Sequence, residues 1–338
     1  MITGFTQKHK PEQESSWQSE MMDAFRDVET LLDYLELDGA GRQQVLSLPG
    51  DFKLLAPKPY VDKIKKGDWD DPLLKQILPL DIELQQFEGF TMDPVGDANA
   101  SIATGVLQKY QGRVLLITTG ACAVHCRYCF RRHFPYAESM ADKRHWQDTL
   151  RQIKKDRSVH EVILSGGDPF MLPDERLASM CHDLAAIPHI KTLRFHTRLP
   201  VILPRRINDA FFSWLDQLNV RKVVVVHANH ANEIDEQTGA VLKRLAAHQV
   251  TVLNQSVLLK GVNDNARALL ELSQRLFEFG VLPYYLHVLD KVQGAAHFDV
   301  DEKRAMALLR SLKQSLPGYL VPKLVKEVSG ERSKLSLE

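Results

Sequence analysis

The pattern of apolar and polar positions predicts a repeated strand and helix unit from about residue 113 onward. Short apolar runs rich in β-branched residues are typical of parallel strands that are buried on both faces. After the first run they recur roughly every 30 residues, the length of a strand followed by a helix. The six predicted strands are Val114 to Thr118, Val162 to Leu164, Thr192 to Phe195, Val223 to Val226, Thr251 to Val257 and Leu282 to Val288.

The segments between and after these runs have the apolar period of amphipathic helices. A glycine, Gly280, follows the third of them at the position where a C-terminal cap is expected. The predicted helices are Asp174 to Ile187, Asn232 to His248, Ala266 to Phe279 and Val300 to Leu316.

The change of pattern along the chain predicts three parts. Residues 1–105 carry scattered prolines and helical stretches such as Met21 to Leu35, which indicates an N-terminal α-helical region. Residues 106–316 hold the six units, and residues 317–338 form a short C-terminal segment. Six units are too few for a complete eight-stranded barrel, and a partial barrel or a doubly wound open sheet would fit the alternation equally well.

The charge balance and the absence of targeting signals limit the binding partners and the cellular location that the sequence predicts. The 338 residues include 43 basic and 43 acidic side chains, so no global field favours a nucleic acid or a membrane surface. Met1 to Glu20 is polar and lacks the apolar core of a signal peptide, and no apolar run approaches a bilayer span. We therefore predict a cytoplasmic protein. In a reducing compartment its cysteines do not form a disulfide framework, and Cys181, on an apolar helix stripe, is a predicted core residue.

Three of the four cysteines lie within eight residues, directly after the first predicted strand. Cys122, Cys126 and Cys129 have the spacing C-x-x-x-C-x-x-C. A four-iron cluster is usually held by four thiolates, so a cluster held by three would leave one iron open to another ligand. The alternative is a structural Cys3His zinc site that uses His125 or His133.

Polar residues follow or end the next strands. Ser165, Gly166, Gly167 and Asp168 come directly after the second strand. The third strand leads into His196-Thr197-Arg198, the fourth into His227, and Gln255 lies in the fifth. In parallel architectures the carboxyl ends of the strands meet on one side, so these groups should share a site with the cysteines. An ordinary turn is the alternative for the Gly-Gly-Asp segment.

The cysteine spacing resembles the signature of the radical S-adenosylmethionine (SAM) enzymes, and a longer series of motifs resembles the lysine 2,3-aminomutase family. That resemblance extends from about Asp51 to Lys334. It implies an α/β fold, a partial (β/α)6 barrel with an N-terminal α-helical region and a short C-terminal tail. The motifs are Cys122-x-x-x-Cys126-x-x-Cys129 with Arg131-Arg132, Leu164-Ser165-Gly166-Gly167-Asp168, Leu203-Pro204-Arg205-Arg206-Ile207, His227-x-x-His230-x-x-Glu233, Leu253 to Leu259, Gly261-Val262-Asn263-Asp264, and Val321-Pro322 twelve residues before Lys334.

The resemblance implies three cofactors. The three cysteines would hold a [4Fe-4S] cluster whose open iron binds the amino and carboxylate groups of SAM. Ser165 to Asp168 match the segment that hydrogen-bonds SAM, and His227 and Gln255 are further candidates for cofactor binding. Lys334 matches the lysine that is covalently attached to pyridoxal 5′-phosphate (PLP), and Arg113 matches an arginine that contacts PLP. Lys323 and Lys326 are the alternatives for the PLP lysine, because only one glycine of the family's glycine-rich run precedes Lys334.

The resemblance also implies a substrate site. Arg131 matches the arginine that pairs with the substrate α-carboxylate, and a planar guanidinium can hold a carboxylate through two parallel hydrogen bonds. Asp290 matches a carboxylate that receives the substrate ε-ammonium. The second such position is Glu327, where the family usually has an aspartate, and the extra methylene could alter product stereochemistry.

The implied activity is the interconversion of L-α-lysine and β-lysine through a 5′-deoxyadenosyl radical and PLP, with a low-potential electron donor such as flavodoxin or ferredoxin. The chain resembles the short bacterial branch without the zinc-binding segment of longer relatives, which makes (R)-β-lysine for attachment to elongation factor P by a separate ligase. Two alternatives remain. One is an aminomutase for another amino acid such as glutamate, and the other is a zinc-stabilised binding module without catalysis.

Overall fold

The computed structural model describes residues 16–45, 52–136 and 145–337. Its sheet has ten strands in chain order, and all six predicted strands are present within it. The strands are β1 (Ser101–Ala103), β2 (Val106–Leu107), β3 (Arg113–Thr119), β4 (Glu161–Gly166), β5 (Thr192–Thr197), β6 (Arg221–His227), β7 (Val250–Val257), β8 (Leu282–His287), β9 (Lys323–Lys326) and β10 (Leu335–Ser336).

The order of the strands distinguishes between the two architectures that the sequence left open. From β3 to β9 each strand pairs in parallel with its neighbour in the chain, and β1, β2 and β10 add antiparallel pairs at the edges. A doubly wound sheet reverses its strand order partway, at a switch point. The sheet formed by the described residues has no such reversal, so the partial barrel is confirmed and the doubly wound sheet is excluded.

Ten α-helices are present among the described residues. At least one helix follows each of the strands β3 to β8, which gives the six strand and helix units that the sequence predicts. The helices are α1 (Trp17–Met22), α2 (Val28–Tyr34), α3 (Lys58–Val61), α4 (Trp146–Lys155), α5 (Asp174–Ala185), α6 (Leu199–Ile202), α7 (Asp209–Leu215), α8 (Glu236–Ala247), α9 (Ala266–Glu278) and α10 (Glu302–Ser315).

Capping residues explain the ends of the predicted helices. The Asn265 side chain accepts a hydrogen bond at the start of α9, and Gly280, with φ of 76°, follows its end. The predicted helix from Asn232 starts later, at Glu236, because Asp235 is its N-cap and accepts from the Thr238 backbone. On α5, Cys181 is fully buried, which confirms it as a core residue.

The N-terminal region contains short helices joined by irregular chain. The predicted helix from Met21 to Leu35 is wrong as a single element, since α1 ends at Met22 and α2 begins at Val28. Between them Phe25 exchanges two backbone hydrogen bonds with Ala56, and Asp27 caps α2. Residues 1–15, most of the stretch predicted to lack a signal peptide, lie outside the described residues. In the described ranges no helix has the length and apolar character needed to cross a bilayer.

The C-terminal segment belongs to the sheet. Residues 317–338 were predicted as a short tail, but β9 pairs in parallel with β8, and β10 pairs with β9. The sequence signal is weak because β9 has only four residues, of which Leu324 and Val325 are buried between two lysines. This extra pairing brings the chain around Lys334 back to the carboxyl ends of the barrel strands.

Candidate active site

A cavity of about 790 Å³ opens at the carboxyl ends of the parallel strands and extends into the barrel. All fourteen residues that the sequence assigns to cofactor or substrate binding line it. Their individual roles stay predictions, but the structure brings the residues together in one space. They are Cys122, Cys126, Cys129, Arg113, Arg131, Ser165, Gly166, Gly167, Asp168, His227, Gln255, Asp290, Glu327 and Lys334.

The loop that carries the cysteines is attached to the glycine segment after β4. The Gly167 backbone donates to the Thr119 carbonyl at 2.7 Å, and the Asp168 backbone donates to the Ala121 carbonyl at 2.8 Å. A Cβ atom on Gly167 would lie 2.3 Å from that Ala121 oxygen, and one on Gly166, whose φ is 123°, would lie 2.5 Å from the Thr119 oxygen. Both positions therefore require glycine because the cysteine loop packs against them.

Asp168 joins the loops after β4 and β5. Its carboxylate accepts hydrogen bonds from the Thr197 hydroxyl at 2.7 Å and from the Arg198 backbone at 2.7 Å. Burial raises the pKa of Asp168 to about 6, although these hydrogen bonds act in the opposite direction. Since its side chain is engaged within the protein, the backbone of this segment is the part available to a ligand.

The sulfur atoms lie in surroundings that suit iron. Arg198 donates from Nη1 to the Cys126 Sγ atom at 2.7 Å. Burial raises the pKa of Cys122 well above its usual range and that of Cys129 to about 11. Thiols that ionise with difficulty by themselves become good ligands when a metal supplies the positive charge. The donor set therefore fits an iron–sulfur cluster.

The two histidines of the zinc alternative contact other groups. His125 Nδ1 lies 2.8 Å from the Lys53 carbonyl, and its ring stacks on Phe52. His133 Nε2 lies 3.1 Å from the Gln293 carbonyl. In the described part of the chain no three histidine, cysteine or acidic side chains converge to hold a single metal ion. A four-iron cluster binds each thiolate through a different iron, so its ligands do not need to converge on one point.

Basic groups line the inner part of the cavity. Arg113 lies over the Tyr110 ring, 4.9 Å from its centre, and its Nε atom is buried without a hydrogen-bond partner among the described residues. Arg194 lines the same wall and is paired with Glu161. A buried guanidinium nitrogen with no partner is a site for an anionic oxygen, so the residues present fit the phosphate of PLP.

Arg131 is held by a carboxylate that the sequence analysis missed. Its Nε atom donates to Asp97 at 2.7 Å and its Nη1 atom donates to the Ser165 hydroxyl at 3.3 Å. Asp97, which is 1% exposed, also pairs with Lys109 at 2.8 Å. This arrangement orients the guanidinium, and its Nη2 atom donates no hydrogen bond to the described residues, which leaves it available to a ligand.

Two carboxylates lie near Lys334. Glu327 forms an ion pair with Lys334 and accepts a hydrogen bond from the Tyr110 hydroxyl at 2.7 Å. Burial acts to raise the pKa of Glu327, but Lys334, Tyr110 and Lys109 outweigh it, so the pKa is lowered. Burial raises the pKa of Asp290 to about 7, and the Asp290 carboxylate accepts no hydrogen bond from the described residues. The cavity thus contains a partly exposed acid whose charge has no directly bonded partner among the described residues, although Lys334 lies near enough to act against the rise in its pKa.

Residues 116–272 match the family model of the Radical SAM superfamily. The solved structure of SuiB from Streptococcus suis has a TM-score of 0.48 and 14% identity, and the match covers 65% of this chain and 50% of that one. The open barrel, the cysteine loop and the family match together define a radical SAM protein.

Two curated relatives identify the family more narrowly. An L-lysine 2,3-aminomutase from Haemophilus influenzae is 46% identical over 322 residues, which is 95% of each chain. Another from Escherichia coli (strain K12) is 46% identical over 327 residues, 95% of this chain and 94% of that one. The chain belongs to the L-lysine 2,3-aminomutase family of isomerases. Membership implies SAM and a [4Fe-4S] cluster as cofactors and excludes the non-catalytic module.

Proposed function

We propose that this protein is an L-lysine 2,3-aminomutase that converts L-α-lysine to β-lysine with SAM, a [4Fe-4S] cluster and PLP. The observation that carries the proposal is the Asp290 carboxylate, which faces the same cavity as the three cysteines and Lys334 and has no hydrogen-bond or ion-pair partner in the described protein. A charge removed from water is tolerable only when it is paired, so this acid suits a ligand that brings a cation. The ε-ammonium of lysine is such a group.

The residues present fit the proposed cofactors. Cys122, Cys126 and Cys129 would hold the cluster, Arg113 would bind the phosphate of PLP, and Lys334 would bind PLP covalently. When bound, the cluster and SAM supply a 5′-deoxyadenosyl radical, and PLP supplies the conjugated system that lets the amino nitrogen move between adjacent carbons.

The alternatives for the PLP lysine lie on β9. Lys326 pairs with Glu302 and does not line the cavity, which argues against it. Lys323 borders the cavity but its side chain is exposed, whereas Lys334 is partly covered and lies over the Tyr285 ring. These positions support Lys334 as the attachment site.

The side chains of the cavity would fix both ends of the substrate. Arg131, whose Nε atom is held by Asp97, would bind the α-carboxylate through its remaining nitrogens. Asp290 and Glu327 would hold the ε-ammonium, and the Tyr110 hydroxyl keeps Glu327 in place. With both ends held, the carbons between them have a fixed position, and this orientation is the protein's main contribution to a reaction that moves only one group. The cavity walls would exclude water from the radical.

The charges favour lysine over the alternative substrate glutamate. A side-chain carboxylate placed beside Asp290 and Glu327 would meet two acids, and like charges in a shielded site repel strongly. We further propose (R)-β-lysine as the product, a cytoplasmic location, a flavodoxin or ferredoxin as electron donor, and elongation factor P modification as the use of the product. The full-length match to the two relatives supports placing this chain with the short bacterial enzymes.

The test is a direct assay of the anaerobically reconstituted protein. Incubation with SAM, PLP, dithionite and L-lysine should yield β-lysine, and chromatography on a chiral phase should resolve it as the R enantiomer. L-glutamate under the same conditions is the control and should give no β-amino acid. Faster turnover of glutamate than of lysine would contradict the substrate assignment, and an S product would contradict the stereochemistry.

A further inference from the structure

A buried arginine lies behind the cysteine loop and hydrogen-bonds one of its sulfurs. Arg198 follows β5 and is 7% exposed. Its Nη1 atom is 2.7 Å from the Cys126 Sγ atom. A guanidinium is always charged, so this is a charge-assisted hydrogen bond to a predicted iron ligand. The family resemblance gave Arg198 no role.

The rest of the same guanidinium is fixed by buried acceptors. Arg198 Nη2 donates to Glu233 Oε2 at 2.8 Å and to Gln76 Oε1 at 2.8 Å. Glu233 is fully buried, and its other oxygen accepts from the backbone nitrogens of Asn229 at 2.7 Å and His230 at 3.0 Å. Because both arms of the rigid fork are used, one for the acceptors and one for the sulfur, the donor to Cys126 is held in place before any cofactor binds.

We propose that Arg198 is a positioning residue that sets the reduction potential of the cluster through its hydrogen bond to Cys126, with Glu233 balancing its charge. The inference rests on the proposed function, because it takes the three cysteines as the cluster ligands. Reduction adds one electron to the cluster from an external low-potential donor, and the added negative charge is shared by the cysteine sulfurs. Hydrogen bonds to the sulfurs and the net charge around them are two of the factors that set such potentials.

The two members of the pair should shift the potential in opposite directions. The N–H donor and positive charge of Arg198 favour the reduced, more negative cluster, whereas the Glu233 carboxylate opposes it. Glu233→Gln keeps the size of the side chain and one accepting oxygen, and it leaves the arginine charge unbalanced, so the potential should rise. The double variant Arg198→Met with Glu233→Gln keeps the pair neutral overall and removes the donor, so the potential should fall.

The design of the double variant avoids a misleading folding defect. Removing Arg198 alone would leave Glu233 as an unpaired buried charge, which is strongly destabilising. The milder Arg198→Lys provides a second measurement. It keeps the positive charge, but a lysine is a single point donor and cannot hold Glu233 and Cys126 together in a planar fork, so the potential should again fall.

The experiment is a potentiometric titration of the reconstituted protein, followed by the electron paramagnetic resonance signal of the reduced cluster. Each variant is first analysed for iron and acid-labile sulfide. We expect at least a tenfold change in the reduction equilibrium in each direction, which is about 59 mV for a one-electron couple. The matched control is Arg206→Lys, since Arg206 is also a buried arginine and pairs with Asp174 at 2.8 Å but hydrogen-bonds no cysteine among the described residues. That control should leave the potential unchanged.

The outcomes separate this inference from the proposed function. An intact cluster whose potential is the same in wild type, Glu233→Gln, Arg198→Lys and the double variant would refute the role of Arg198 alone. A potential that moves in the same direction in Glu233→Gln and in the double variant would refute the charge-balance argument. Wild-type protein that binds no iron and sulfide would refute the proposed function and this inference with it.

Discussion

Replacing Asp290 with asparagine should reduce turnover of L-lysine by at least roughly a hundredfold. The substitution keeps the shape of the side chain and removes the charge that we assign to the substrate ε-ammonium. Loss of one partner from a buried ion pair costs about 3 to 5 kcal/mol, and each 1.4 kcal/mol or so is a factor of about ten in rate. Glu327 retains part of the counter-charge, so the lower end of that range applies. Binding of SAM and PLP should be unchanged, because neither is assigned to this carboxylate.

Asp290 should also make the activity on lysine depend on pH. Burial raises the pKa of Asp290 to about 7. The ammonium of lysine binds the ionised form, so below this raised pKa the carboxyl must first lose its proton, and kcat/KM for lysine should rise as the pH passes through the pKa of Asp290 and then level off. The amide of the Asp290→Asn variant has no proton to lose in this range, and this part of the pH profile should be absent.

The thermal stability of the Asp290→Asn variant shows whether a loss of activity comes from a folding defect. A carboxyl whose pKa is raised in the folded state holds its proton more tightly there, so its stabilising contribution is complete below the ordinary value of 3.8 and is lost as the pH rises through about 7. Above that window the ionised Asp290 destabilises the cofactor-free protein by up to about 4 kcal/mol. Asp290→Asn should therefore unfold at a higher temperature than wild type at alkaline pH, while being far less active.

The assay measures β-lysine formation across a pH series, with thermal unfolding of the cofactor-free proteins in parallel. The matched control is Asp299→Asn. Asp299 lies on the same stretch of chain and pairs loosely with Lys291 at 3.9 Å, but it does not line the cavity. It should change neither the activity nor the pH profile. Near wild-type turnover by Asp290→Asn would show that the ε-ammonium is recognised elsewhere, and the lysine assignment would lose its main physical support.

Three further predictions concern the cofactor residues. Cys126→Ser should abolish 5′-deoxyadenosine formation, because a hard alkoxide is a poor ligand for cluster iron. The control Cys181→Ser should keep its iron content, and normal SAM cleavage by Cys126→Ser would contradict the cluster assignment. Borohydride reduction of the PLP-loaded protein followed by peptide mapping should place the phosphopyridoxyl label on Lys334, and a label on a lysine of β9 would contradict this. Gly167→Ala should lower the iron and sulfide content of the protein, since the added Cβ atom would overlap the cysteine loop. The control Gly318→Ala, whose Cβ atom would meet nothing within 4 Å, should keep both contents. Equal contents in the two variants would show that the cysteine loop can move aside.

The barrel was predictable from the sequence because its signal is local. A strand such as β6 reads as an uninterrupted β-branched run, since both of its faces are buried, and a helix such as α9 shows its apolar stripe and both of its caps. Strand β9 gave no such signal because it has four residues and two of them are lysines. Its place in the sheet depends on pairing with β8, which is a long-range interaction that no short window of sequence contains.

The residues of the candidate site also fall into two groups, those that the sequence predicts and those that only the folded structure shows. The cysteines could be found because their chemistry requires a fixed spacing along the chain, and the family resemblance supplied Arg131 and Asp290. Asp97 and Glu233 were missed as partners because each acts through a contact made only by folding. Asp97 lies 34 residues from Arg131, and Glu233 lies 35 residues from Arg198. A single acidic residue in a loop could pair with many different cations, and only the folded structure shows which one it contacts.

Paired and unpaired charges in this cavity have different functions. Arg131 with Asp97 and Arg198 with Glu233 are buried ion pairs that fix geometry within the protein, although the Nε atom of Arg198 has no hydrogen-bond partner among the described residues. The Asp290 carboxylate makes no hydrogen bond or ion pair among the described residues, although Lys334 lies near enough to lower its pKa, and the Nε atom of Arg113 is buried there without a hydrogen-bond partner. Native proteins rarely leave shielded polar atoms unsatisfied, and each exception calls for an explanation. Here the partly exposed Asp290 carboxylate and the buried Nε atom of Arg113 face one cavity, and a substrate cation together with a cofactor phosphate would satisfy both. The cofactor-free protein therefore gives up stability at the positions where the proposed ligands would supply the missing charge.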